Sequence, residues 1–152
     1  MVSLGLLPGG SSAAALAVSS DGLTIVGTCV TTTTVAFRWT AGGGMQSLGL
    51  LPGATFSVAQ GVSADGSVVV GFSDAGGGGP MAFRWTSAGG MAPLGLISGG
   101  SVSQAYAASG PGDVVVGSGN GTGGARAFRW AGAGLSNLGV LYTGVESGAR
   151  AV

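Results

Sequence analysis

A four-residue stretch, Ala-Phe-Arg-Trp, occurs three times in this chain of 152 residues, at 36–39, 82–85 and 127–130. Each copy follows a Val-rich run closed by Gly and precedes a Gly-rich turn and a Leu-Gly pair. The Leu markers Leu4, Leu48, Leu94 and Leu138 are separated by 44, 46 and 44 residues. From that Leu to the Gly of the Val-rich run (Gly27, Gly71, Gly117) the distance is 23 residues in all three repeats. From Gly to Trp it is 12, 14 and 13, so the adjustable segment lies just before the aromatic element. A period near 45 residues is the signature of a repeat architecture.

Each repeat divides into four short strands. The first is rich in small residues: 13–18, 58–62, 105–108 and a last copy at 149–152. Asp21-Gly22 and Asp65-Gly66 then mark hairpin turns between apolar runs. The second strand, 24–26, 68–70 or 114–116, is β-branched without polar alternation, as in a strand buried on both faces. Ala-Phe-Arg-Trp forms the third and the Leu-Gly segment the fourth, with a further fourth-type strand expected near 4–7. Four antiparallel strands per repeat of about 45 residues predict an all-β fold of propeller-like blades. A β-solenoid with two coils per repeat is the competing architecture. The chain reads as one repeat domain, 1–152, with repeats at 3–46, 47–92, 93–136 and a partial one at 137–152.

Alternation puts Ala15 and Ala17, Ala59 and Gly61, Ala105 and Ala107, and Ala149 and Ala151 on one face of the first strand. All are small, as close packing near an axis requires. The other face carries Leu16, Gln60, Tyr106 and Arg150, the least uniform position inside a strand. In the third strand Phe37 and Trp39, Phe83 and Trp85, and Phe128 and Trp130 share a face and are expected to supply the packing between blades. Arg38 and Arg84 need an anion or carbonyl partner if enclosed. Asp21 and Asp65 are the candidates. In the third repeat Pro111 replaces the turn Asp and Asp113 lies two positions later, so Arg129 must be satisfied differently.

The residues Val62-Ser63-Ala64-Asp65-Gly66-Ser67-Val68-Val69-Val70-Gly71, with Ala82-Phe83-Arg84-Trp85-Thr86 and Gly89-Gly90-Met91, resemble the bacterial HAF-type repeat. That is a family of extracellular repeat proteins named for a His-Ala-Phe triplet, and the resemblance covers essentially the whole chain. The His position is held here by Val35, Met81 and Arg126, so no role of that His carries over. The resemblance implies a secreted or cell-surface β-rich repeat protein and no reaction.

Composition argues in the same direction. Only 7% of residues are charged, Lys is absent and the net charge is zero, so nothing steers the chain toward nucleic acid. A weakly charged surface does little to oppose association. There is no His, the usual general base near neutral pH, and Cys29 is alone. No metal, cofactor or catalytic residue is therefore expected, and the chain reads as non-enzymatic. One Asp per repeat is a poor supply for calcium. A glycosidase-like pair such as Asp74 and Glu146 would have to be drawn from different repeats. Asp74, Gln60, Tyr106 and Tyr142 remain as a candidate ligand surface, for a glycan or another cell-surface ligand. The segments 28–35, 72–81 and 118–126 are expected as variable loops on one rim.

The apolar run at 4–16 lacks a preceding Lys or Arg and recurs in part at 47–53, so it reads as repeat and not as a secretion signal. No run is long enough for a membrane helix. Three blades do not make a ring, since propellers contain about four to eight. The chain is thus expected to complete its structure with other copies, a dimer giving six blades, or to be part of a longer repeat protein. Assembly into filaments or a matrix is the alternative.

Overall fold

The computed structural model describes residues 3–74, 76–132, 134–139 and 147–150. Every regular element among them is a β-strand. The first sheet contains β1 (Ser12–Val18), β2 (Thr24–Val30), β3 (Thr34–Thr40) and β4 (Gly44–Gly49). The second contains β5 (Ser57–Val62), β6 (Val68–Asp74), β7 (Pro80–Thr86) and β8 (Gly90–Gly95). The third contains β9 (Ser103–Ala108), β10 (Val115–Gly121), β11 (Gly124–Trp130) and β12 (Leu135–Asn137). Each is an antiparallel meander in sequence order. The sheets therefore run 12–49, 57–95 and 103–137, the first two ending on their Leu-Gly strands and the third on the strand just before Leu138-Gly139, whereas the repeat read from the sequence begins at the Leu-Gly pair.

β1 packs on β5 and β5 on β9, so the first strands are innermost and the sheets radiate from them as blades. The solenoid alternative is excluded, because each repeat closes its hydrogen bonds within one four-stranded sheet. Residues 3–7 are not a strand, contrary to expectation, but Leu7 is buried against Cys29 and Phe37 of the first blade. Residues 147–150 are also outside any strand, and 151–152 lie outside the described residues.

The second strand is longer than its Val run suggests, because its Gly is not a terminator. Gly27, Gly71 and Gly117 sit in mid-strand opposite Ala15, Ala59 and Ala105. Immediately beyond that pair, the first strand carries an extra residue: Leu16, Gln60 and Tyr106 have no partner across the ladder. This one-residue β-bulge turns a main-chain carbonyl toward the second strand. A Cβ on Gly71 would stand 1.9 Å from the Val58 carbonyl oxygen, and one on Gly27 or Gly117 would stand 2.0 Å from that of Ala14 or Gln104. The fixed Gly is the mate of the bulge.

The β1–β2 turn shows why Asp-Gly recurs. Gly22 has φ of 72°, and its N–H donates to the Ser19 carbonyl at 2.9 Å. Asp21 accepts from the Ser19 hydroxyl and from the Leu23 N–H, while Ser19 Oγ accepts from the Thr24 N–H at 3.0 Å. Ser63, Asp65 and Gly66 repeat this arrangement. In the third blade Asp113 reaches back to the Ser109 hydroxyl at 2.7 Å, doing from two positions later what Asp21 and Asp65 do.

Candidate functional site

The recurring residues meet at the junctions between blades. Phe83 and Trp85 face the first blade, where Phe83 packs with Val26, Ala36 and Leu48. Ala82 and Arg84 face the third, where Ala82 packs with Ala105, Val115 and Phe128. Phe37, Phe83 and Phe128 are fully buried, whereas Trp39, Trp85 and Trp130 are only half-buried. The aromatic pair therefore does not share the packing equally. Phe fills the junction and Trp borders it.

The arginines reach forward into the next blade. Arg38 Nε donates to the Gly66 carbonyl at 3.3 Å, and Arg84 Nε to the Gly112 carbonyl at 3.1 Å. Arg84 also lies over the Trp130 ring, 5.9 Å from its centroid. The expected pairs of Arg38 with Asp21 and Arg84 with Asp65 are thus replaced by contacts to a turn carbonyl of the following blade. The reason is local: each Asp has committed its oxygen to its own Ser and turn amide. Those hydrogen bonds hold Asp65 down to about 2 and lower Asp21 as well, with the Ser hydroxyl the largest cause in both. Arg129, the third of the series, is exposed and helps to lower Asp113 beside it.

A serine latches each of the two junctions, and a third closes the last blade in the same way. Ser57 Oγ accepts from the Ala36 N–H at 2.8 Å and donates to the Gly49 carbonyl at 2.7 Å. Ser103 does the same to Ala82 and Gly95, and Ser147 to Ala127 and Gly139. The latch occupies the backbone groups left open by the register shift between Ala36 and Phe37, and between Ala82 and Phe83. Ser103→Ala leaves the buried Ala82 N–H without a partner, and is expected to cost about 1–3 kcal/mol in urea unfolding. Ser147→Ala, at a less enclosed site, should cost less. These serines escaped the sequence reading, although they recur at 46 and 44 residues like the Leu markers.

The candidate ligand residues separate. Asp74 is a clasp: its carboxylate accepts from the Thr55 and Phe56 N–H groups and from the Thr55 hydroxyl, which hold it below its usual range. Asn120 performs this task in the third blade, accepting from Ser101 and Val102. Gln60 and Tyr106, by contrast, are the bulged residues of β5 and β9 and border a common cleft of about 260 Å³ along the innermost strands. Tyr142 and Glu146 lie outside the described residues. Among the described residues no cluster of three or more metal-ligating side chains occurs. No helix of the described chain is long and apolar enough to cross a membrane.

Radial four-stranded meanders with innermost first strands have counterparts among solved structures. A protein described as TolB from Agrobacterium tumefaciens superposes with a TM-score of 0.63 at 16% identity, over 82% of this chain and 45% of that one. TolB from Acinetobacter baumannii gives 0.64 at 14% identity, over 89% of this chain and 33% of that one. The fold is that of β-propeller blades. The chain spans less than half the length of either structure. No family model matches the sequence, and no curated protein does.

Proposed function

We propose that this chain is a non-enzymatic segment of an extracellular or cell-surface repeat protein of HAF type, serving as a scaffold and binding module. One observation carries the reading. The residues that recur in every repeat are absorbed by turns, bulges and blade junctions, while the hairpins joining the second and third strands differ from blade to blade. Structure narrows those hairpins: 28–30 and 72–74 belong to β2 and β6, and Asp74 clasps Thr55, so the first loop reduces to 31–33 and the described part of the second to the glycines 76–79. The earlier span 72–81 would remove strand residues and the clasp.

The propeller fold, the exposed leading face of β1 and the apolar cleft of about 660 Å³ beside Phe37 support completion by further blades. Those blades come from other copies, a dimer first, or from flanking repeats of a longer polypeptide. Light scattering over a dilution series separates these, with a two-chain mass supporting self-association. The same open face favours the second reading, assembly into filaments, which electron microscopy would show as continuous fibres instead of discrete rings.

Binding is tested by incubating soluble cell-surface glycans with the chain and with a variant in which Thr31, Thr32 and Thr33 of the first hairpin are replaced by glycine. Retention by the first, loss by the second and unaltered glycans support the proposal. Shortened glycans would overturn its non-enzymatic part, and unfolding of the variant would overturn the division between loop and scaffold.

A further inference from the structure

The bulge recurs in every blade at the same place, and its residue is the one that packing does not determine. Ladder pairing skips Leu16, Gln60 and Tyr106, while their neighbours in each strand are small or apolar. Bulges interrupt a ladder and re-aim a side chain. Here the re-aimed side chains stand on the innermost strands, and Leu16 is 47% exposed. Arg150 follows Tyr106 by 44 residues, the interval between Leu16 and Gln60, and so occupies the next position of the series.

Tyr106 and Arg150 come together. The guanidinium of Arg150 lies over the Tyr106 ring, 5.6 Å from its centroid. The Tyr106 hydroxyl donates to Gln104 Oε1 at 3.1 Å and shares a 2.9 Å hydrogen bond with Ser118 Oγ. Behind it, the Tyr106 carbonyl rests against Gly61 of the second blade, where a Cβ would stand 2.4 Å away. The ring is therefore held from both ends. Together Tyr106, Ser118, Ser147 and Arg150 border an open cleft of about 400 Å³.

An arginine held by its face keeps its planar edge available for a bidentate anion. The aspartates do not supply that anion. Asp21, Asp65 and Asp113 are bonded within their turns, and Asp74 is bonded to Thr55 and Phe56. From this arrangement we infer that the bulged positions, with Arg150 as the next in the series, form an axial ligand site, and that Tyr106 and Arg150 take a carboxylate there. Gln60, on the far side of Tyr106, offers an amide to the rest of the ligand. The site is separate from the hairpin rim and does not depend on binding at 31–33.

The test is an NMR titration of the whole chain with sodium galacturonate and with N-acetylglycine, each against its methyl ester. Saturable shifts at Tyr106, Ser118 and Arg150 are expected with an acid, at dissociation constants on the order of millimolar, and not with its ester. A response to galacturonate alone assigns the carboxylate to an acidic sugar, and a response to N-acetylglycine alone assigns it to a peptide end. Arg150→Gln should weaken binding at least about tenfold. Arg150 is exposed, so its melting temperature should be unchanged. Equal binding of acid and ester, unaltered affinity in Arg150→Gln, or no response to either acid would overturn the inference.

Discussion

Gly71→Ala is expected to prevent the second blade from forming its native ladder. The added methyl would meet the Val58 carbonyl oxygen at 1.9 Å, its carbon at 2.9 Å and the Ala59 Cα at 3.0 Å. All three are main-chain atoms of the adjacent strand, so no side-chain rotamer can relieve the contact. Either β5 and β6 separate, losing hydrogen bonds along the ladder, or the bulge at Gln60 is undone. Undoing it would shift the register of part of β5 and turn its buried face outward. The expected loss exceeds about 3 kcal/mol, the usual upper end for overpacking, against a total of about 5–15 kcal/mol for a domain. Gly42→Ala is the control: nothing lies within 4 Å of its Cβ position, and a small gain is expected from the stiffer unfolded chain. Urea unfolding of both variants decides the matter, and a mild Gly71→Ala would contradict the role assigned to the bulge.

Phe83→Ala should be nearly as damaging, at about 3–5 kcal/mol for a fully buried ring. Phe83 stands between two blades, with Val26, Ala36 and Leu48 on the facing side and Val69 beside it. A cavity there is bordered by main chain that the Ser57 latch holds in place, which limits collapse. Trp85→Ala should cost less despite the larger ring, because Trp85 is half-buried at the border of the junction. Equal losses for the two would contradict this division of the packing.

Much of the fold was legible because its determinants are local or periodic. The spacing of Leu, Gly and Trp revealed the blades, and Asp-Gly placed the turns. The all-β class followed from β-branched runs and ubiquitous Gly. What escaped depends on contacts between repeats. Arg38 and Asp21 belong to one repeat, so a pair between them was the natural expectation. The structure instead joins Arg38 to Gly66, 28 residues ahead and in another blade. Alternation alone cannot reveal which neighbour a face meets. Gly27 was read as closing the Val-rich run, whereas it sits in mid-strand and the bulge opposite makes it indispensable. The position of Leu16, Gln60, Tyr106 and Arg150 was visible as variable, but the departure of the first three from the ladder was not.

The central claim is that Ala-Phe-Arg-Trp joins blades, with its Phe and Trp facing backward and its Arg facing forward. A double-mutant cycle between Arg84 and Trp130 tests it most directly, using Arg84→Met and Trp130→Leu, with Arg84 and Trp85 as the control pair. Arg84 lies over Trp130 across the second junction, while Trp85 is on the opposite strand face. The account predicts a coupling of about 0.5–1 kcal/mol for Arg84 with Trp130 and near-additivity for Arg84 with Trp85. Additivity across the junction, together with coupling inside the strand, would contradict it.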